Sequence, residues 1–358
     1  MWRDPLTQRT SPWWNPSVHQ DRRPLLMARN AILARLRGYF AEEGFVEIDA
    51  AALQVSPGNE THIHAIAADI RLPDGNIARR YLHTSPEFAM KKLLAAGESR
   101  IFSLGHVFRD RERGPLHAAE FAMLEWYRSG DSYELVVQDC VNVLRLAAEA
   151  AGTLQLNYRR RVADPANPAA RVAVADAFAK YASIDLLATC RSDGTADRDA
   201  LAAQARHVGL TVSPGDSWSD LFSRILVSLV EPELGNERIA ILHEYPRSEA
   251  ALAALSERDP RLADRFEIYA CGVELANGFR ELTDPDEQRR RFEADMAEKH
   301  RIYGEDYPID EEFLEALAIM PAASGVALGV DRLVMLATAA PSIHHVIWTP
   351  NDDEGGTQ

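Results

Sequence analysis

Apolar residues recur at every third or fourth position from Pro24 to Glu43, through Leu26, Leu33, Leu36 and Phe40. That spacing predicts an amphipathic helix with Pro24 at its first position and Gly44 at its end. Pro5, Pro12 and Pro16 interrupt any earlier helix, so residues 1–23 read as an irregular arm whose Trp2, Trp13 and Trp14 are free to dock on the body. Phe45 to Ile48 alternates as a strand does, and Arg80 to His83 is a second short strand. It runs into Thr84-Ser85-Pro86-Glu87, where Ser85 suits a cap, Pro86 a first helical position and Glu87 the positive end of the helix dipole. That helix runs to about Ala96 and stops at Gly97.

Two further alternating runs, Arg100–Val107 and Phe121–Tyr127, predict an antiparallel hairpin whose long polar tip is Arg109 to His117. Tyr133–Ala151 reads as a strong helix, and 160–260 as several helical segments parted by Asp-Pro, Pro-Gly and Asp-Gly turns. Residues 264–281 read as a β-meander turning at Cys271-Gly272, followed by a charged helix from Asp284 to Tyr303 and a short apolar one from Gly329 to Ala337. His345 to Trp348 is expected to be a last strand, ahead of a polar tail at 351–358. Helices outside an antiparallel sheet predict an α+β domain over 24–350, and no G-x-G-x-x-G stands anywhere to suggest a dinucleotide fold.

Composition narrows the classes. The 358 residues are 46% hydrophobic and 26% charged, which excludes disorder and coiled coil. No apolar run approaches membrane-spanning length, and the N-terminus resembles neither a signal nor a transit peptide. Cys140, Cys190 and Cys271 are odd in number and widely spaced, so disulfide and zinc scaffolds are set aside and a reducing cytoplasm is expected. The pairs His62/His64 and His344/His345 lack a third ligand and are read as structural. A formal charge of −15 argues against a broad nucleic-acid surface and leaves room for a local basic patch.

Three constellations carry candidate chemistry. Arg109, Arg111 and Arg113 stand at alternate positions on the hairpin tip, either as a guanidinium fork for phosphate or as an ordinary solvated loop. Glu267 and Glu274 flank the meander turn, either as a carboxylate pair for Mg²⁺ beside bound phosphates or as two solvent-facing strand residues. Gly325 to Arg332 is a glycine-bearing strand entering a helix, which lets a ligand approach the backbone with Arg332 beside it, or is simply a capped helix.

Taken together and in this order, these segments resemble the class II aminoacyl-tRNA synthetases. Phe108-Arg109 with Glu120-Phe121 through Tyr127-Arg128 is similar to their motif 2, and Gly325 to Arg332 to their motif 3. Thr84–Glu87, Met123–Tyr127 and Glu274–Glu281 are similar to the lysyl branch, and the likeness runs from about residue 24 to 348. It implies activation of lysine by ATP, with Mg²⁺, to an aminoacyl-adenylate. Arg109 and Arg332 match the catalytic arginines, on the α-phosphate and against adenine and the γ-phosphate. Phe121 matches the other side of the adenine sandwich, and Asp110, Arg111, Arg113, His117, Ala118, Glu274, Leu275 and Gly329 fall in the ATP-binding positions. Glu267 and Glu274 match the Mg²⁺ carboxylates. Ser85, Pro86, Glu87, Glu125, Tyr127, Glu281 and Ala327 match the lysine pocket, Glu87 toward the backbone-side ammonium and Glu125, Tyr127 and Glu281 toward the ε-ammonium.

Lysyl-tRNA synthetases carry an N-terminal anticodon-binding barrel, for which the arm before the first helix leaves no room. The resemblance therefore narrows to truncated lysyl-type enzymes, the elongation factor P–lysine ligases, which transfer (R)-β-lysine or lysine to a lysine side chain of elongation factor P. It implies a homodimer joined through about 24–50, and tRNA is not the expected acceptor. Ala327, where tRNA enzymes tend to have glycine, sets a methyl group beside the amino-acid pocket. Departures are Asp110-Arg111 for the family's Asn-Glu and Ala118-Ala119 for its Asn-Pro; Arg113 is a candidate for the γ-phosphate, and Arg280 for the acceptor. Two other readings stay open: a lysyl-adenylate former serving tRNA or another carrier, and a catalytically weakened regulatory paralogue.

Overall fold

The computed structural model describes residues 12–191 and 193–351. Among them, eight strands build the main sheet: β1 (Val46–Glu47), β2 (Arg100–Phe108), β3 (Glu120–Ser129), β4 (Ala170–Ala173), β5 (Ala240–Pro246), β6 (Leu262–Ala270), β7 (Val273–Arg280) and β8 (Ala323–Gly329). Their spatial order is β1-β2-β3-β8-β7-β6-β5-β4. The six central strands pair antiparallel, and the edge pairs β1/β2 and β4/β5 are parallel. The expected α+β architecture is therefore present. The β6–β7 turn uses Cys271 and Gly272, both at positive φ (57° and 73°), the geometry that matches the twist of a two-residue hairpin.

Helices cover both faces. On one lie α1 (Pro16–Glu42), α3 (Tyr133–Ala150) and α8 (Val330–Thr338); on the other lie α2 (Glu87–Ala95), α6 (Pro285–Tyr303) and α7 (Glu311–Leu317). The α3 helix starts at Ser132, whose hydroxyl accepts the Glu134 N–H, and buries Val136, Cys140, Val143, Leu144 and Ala147 along one stripe. That stripe packs with Leu36 and Phe40 of α1 and Leu333 and Leu336 of α8 in the largest core cluster. A second cluster belongs to the stretch 172–245, where α4 (Arg198–His207) and α5 (Trp218–Ile225) pack on β5 through Phe222 and Tyr245.

Several expectations need correction. The first helix begins at Pro16, capped by Asn15, so residues 16–23 are helical and Pro24 lies inside. Tertiary anchoring overrides the proline: Arg22 is buried and donates to the carbonyls of His344 and Ile347. Trp14 is 66% exposed and does not dock; Trp348 instead donates to Asn30 Oδ1 on α1 (3.2 Å). The stretch 160–260 carries β4 and β5 as well as helices: β5 is a mostly buried strand that looks like an apolar helix segment in sequence, and β4 is a four-residue edge strand too short to show a period. The last strand expected at His345–Trp348 does not form: a 3₁₀ turn, Ile343–His345, is followed there by turns and bends. Trp2 and the rest of residues 1–11, and the tail beyond Asn351, lie outside the described residues. Among the described residues no helix is long and apolar enough to cross a membrane.

Candidate active site

The central strands β3, β8 and β7 form the floor of a cavity of about 360 Å³, with α2 and the β2–β3 loop as walls. Side chains on these strands alternate between core and cavity, so Glu125 and Tyr127 of β3 reach the same face as Ala327 and Gly325 of β8, their register partners. A Cβ on Gly325 would stand 2.2 Å from Tyr127 Cε1 and 2.7 Å from Glu281 Oε1, so only glycine lets these two side chains close over the strand.

At one end of the cavity stand carboxylates. Glu125 is 1% exposed; Ser85 Oγ donates to one oxygen and Tyr127 Oη to the other, each at 2.7 Å. Burial, and then the Glu87 charge, pushes Glu125 up to about 7 despite these two donors. Glu87 begins α2 with Pro86, not Ser85, at the cap position; the Ser85 hydroxyl, one residue earlier, accepts the Glu87 N–H (3.1 Å).

One turn later stands Lys91, 1% exposed, with Nζ 2.6 Å from Glu87 Oε1 and 2.5 Å from Glu281 Oε2. Burial alone would lower its pKa, but the charges of Glu281 and Glu87 outweigh it, so Lys91 stays an ammonium. Both Glu281 oxygens and Glu87 Oε1 nevertheless lack aligned hydrogen bonds. Three acids share this one cation, and burial with their mutual charge pushes Glu125 up to about 7 and Glu281 up to about 8, so the site carries an excess of acid that a further ammonium group would relieve.

At the other end the groups are cationic and more exposed. Arg109 lies over the Phe121 ring, 5.3 Å from its centroid, and its Nε donates to Thr84 O (3.3 Å). Arg332 is held by Leu116 O (3.1 Å), Glu274 O (3.0 Å) and His117 Nε2 (2.7 Å). Burial and then the Arg332 charge lower the His117 pKa, which leaves a neutral imidazole to accept from that arginine. Ala118, Leu275 and Gly329 complete this end of the lining.

The Mg²⁺ candidates sit on the β6–β7 hairpin. Glu274 lines the cavity, whereas Glu267 is buried behind it, accepting from Tyr269 Oη (2.6 Å) and Arg265 (2.8 Å). Burial and then the Glu274 charge raise the Glu267 pKa. Glu231 adds a third negative group there, pushed up to about 7 by burial, Glu274 and Glu267. Mutual repulsion of this kind is relieved by a dication. Oxygen donors this few suit an ion that keeps waters and takes phosphate oxygens; among the described residues no group of three or more side chains is placed to hold a metal ion.

Most of the expected site residues meet in this cavity. Pro86 instead lines the adjoining small void under α2, and Glu281 stands behind Lys91. Asp110, Arg111 and Arg113 lie outside the lining. Arg111 pairs with Glu305 and lies over the Tyr303 ring, 5.5 Å from its centroid. Arg280 is committed to Asp264 (2.8 Å) and Leu255 O (2.7 Å). Sequence reasoning missed Lys91, Glu231 and Glu60. Lys91 had a signal, the i,i+4 spacing from Glu87 on an apolar face; Glu231 and Glu60 had none beyond their side-chain type.

The chain belongs to the class II tRNA synthetases, in the group described as D, K and N, whose family model matches residues 7–353. Within that class its relatives are specific. It is 38% identical over 344 residues to the elongation factor P–(R)-β-lysine ligase of Erwinia tasmaniensis, which covers 93% of this chain and 96% of that one. The ligases of the same name from Proteus mirabilis (37% over 341 residues, 94% and 97%) and Haemophilus influenzae (35% over 336 residues, 93% and 96%) are similarly matched end to end.

Proposed function

We propose that this protein activates (R)-β-lysine, or lysine, with ATP and transfers it from the adenylate to a lysine side chain of elongation factor P. One observation carries the reading: Glu87 and Glu125, two of three acids that share the single buried cation Lys91, open into the same cavity as Arg109 and Arg332. Relatives matched over nearly their whole length bear names that specify this substrate and acceptor.

In this reading the substrate's ammonium groups lie against Glu87 and Glu125, close to the Lys91–Glu281 pair. An uncharged analogue leaves those acids unpaired and is rejected. The substrate carboxylate then points to Arg109, which holds the α-phosphate, while Phe121 and Arg332 enclose the adenine. A carboxylate oxygen attacks the α-phosphorus, the bond to the bridging oxygen breaks, and pyrophosphate leaves. Arg109 and Arg332 act by being fixed where negative charge grows. Mg²⁺ entering with ATP supplies further neutralisation of the phosphates, and Glu267 and Glu274 are the residues to hold it. Ala327 sets its methyl beside Glu125 on the neighbouring strand and discriminates between lysine isomers by about 1–3 kcal/mol.

The same reading places the enzyme in the cytoplasm as a homodimer. Exposed Met27 in the middle of the first helix, Val46 on the edge strand, and Leu53 and Val55 just after it support a second copy seated along about 24–50. Purified protein is incubated with ATP, Mg²⁺ and (R)-β-lysine or L-lysine, with unmodified elongation factor P and tRNA offered together. Intact mass should show the factor gaining one lysyl group and the tRNA none. Charged tRNA alone, or no adenylate with either isomer, overturns the reading.

A further inference from the structure

Activation is half of the reaction; the transfer that follows demands a neutral amine. A lysine side chain with its ordinary pKa near 10.4 is free amine in only about one molecule in 2,500 at pH 7. Something near the adenylate carbonyl has to take a proton from the incoming ammonium.

The acids lining the cavity are Glu60, Glu87, Glu112, Glu125, Glu274 and Asp331. Five are engaged. Glu87 faces Lys91, Glu112 faces His117 (3.7 Å), Glu125 accepts from Ser85 and Tyr127, Glu274 faces Arg332 (3.4 Å), and Asp331 holds Arg29 and the Ala122 N–H. The Glu60 carboxylate has no hydrogen bond or ion pair among the described residues. Its backbone, in contrast, is fixed on both sides. Asn59 Nδ2 donates to Tyr307 O (3.3 Å) and Pro308 O (3.4 Å), and Thr61 Oγ1 donates to Asp295 Oδ1 (2.9 Å). Lys299, 0% exposed, donates to the carbonyls of Glu60 (3.4 Å), Thr61 (3.0 Å) and Ile63 (2.7 Å). A buried lysine is thus spent on holding rigid a loop that presents one uncommitted carboxylate to the cavity.

Its electrostatic neighbours locate it. Glu60 feels Arg109 at the phosphate end and Glu87 at the ammonium end, with Asp295 and Arg265 beyond, and burial raises its pKa above the ordinary carboxylate value. An adenylate held by those two ends has its carbonyl between them. A carboxyl raised in this way is a better proton acceptor than a solvated one.

Resting on the transfer reading above, we propose that Glu60 is the general base for transfer: its carboxylate takes a proton from the acceptor lysine's ammonium. The neutral amine then attacks the adenylate carbonyl carbon. The C–N bond forms, the bond from that carbon to the phosphate oxygen breaks, AMP leaves with the electron pair, and the second amine proton passes to water.

The test separates the two half-reactions in Glu60→Gln, an isosteric change that removes the base. Adenylation is read by pyrophosphate exchange with (R)-β-lysine, and transfer by single-turnover labelling of elongation factor P. The ratio of transfer to adenylation should fall about 100-fold, the usual scale for a lost general base. With hydroxylamine, an amine already neutral at pH 7, as acceptor, the ratio should change little, and Glu60→Asp should recover part of the loss. A ratio unchanged in Glu60→Gln overturns the role, whether both steps fall together or the change appears only as a raised KM for lysine. An equal loss with hydroxylamine overturns it as well. Wild-type protein that forms adenylate yet never labels the factor overturns the function reading and this role with it, an outcome distinct from the others because it needs no variant.

Discussion

At the carboxylate end of the cavity the charged groups are buried and already paired among themselves; at the arginine end they are half-exposed and held mainly by backbone carbonyls. Lys91, Glu87, Glu281, Glu125, Ser85 and Tyr127 form one connected set between α2 and the sheet. Arg109 and Arg332 instead rest on Thr84 O, Leu116 O and Glu274 O. Under the proposed function the difference follows from the ligands. A small diamino acid must be distinguished by charge in a dry site, and empty acids there are costly unless an internal cation shares the field. A nucleotide brings many charges and much surface, so its arginines need placement more than burial.

The sharpest way to break this comparison is at the arginine end. Arg109→Ala should lower pyrophosphate exchange by about 10³-fold, since one lost charge-stabilising donor costs that order, while the folding stability changes little. Lys91→Met should act oppositely, on stability first. It leaves Glu87 and Glu281 facing each other without their cation, and urea unfolding should show a loss of about 3–5 kcal/mol, recovered in part by adding Glu281→Gln. Unchanged stability in Lys91→Met would mean the carboxylate end does not depend on its internal cation.

The pH dependence is smaller and tells the ends apart. Glu125, raised to about 7, is neutral below that pH and loses its attraction for an ammonium. The KM for lysine should therefore rise by up to about tenfold per unit as pH falls below 7, with the KM for ATP far less affected. Least affected should be Arg111→Ala: its pair with Glu305 is solvent-exposed, and adenylation should stay within about twofold, where a phosphate contact would cost much more.

Much of the fold was readable from local pattern. The α3 stripe, the β2–β3 and β6–β7 hairpins and the capped start of α6 at Asp284-Pro285 all carry periodicity and punctuation strong enough to stand alone. Helix α1 did not, because Pro24 looks like a beginning until Arg22 is seen locked to His344 and Ile347, more than 300 positions away in sequence. β5 was lost because a strand buried along most of its length has no alternation to read, and β4 because four half-exposed edge residues are too few to show a period.

The site divides in the same way. Residue types in order along the chain determined the class of chemistry, since Arg109, Glu125, Glu274 and Arg332 fall in motifs whose spacing is itself distinctive. Tertiary structure alone decided which charges are committed and which are free. It took Arg111 out to Glu305, set Lys91 between two acids from different elements, and left the Glu60 carboxylate without a partner among the described residues, on a loop pinned by Lys299. A motif records what each position carries, but whether a charge is paired depends on what approaches it through space, and burial then sets how strongly that pairing counts.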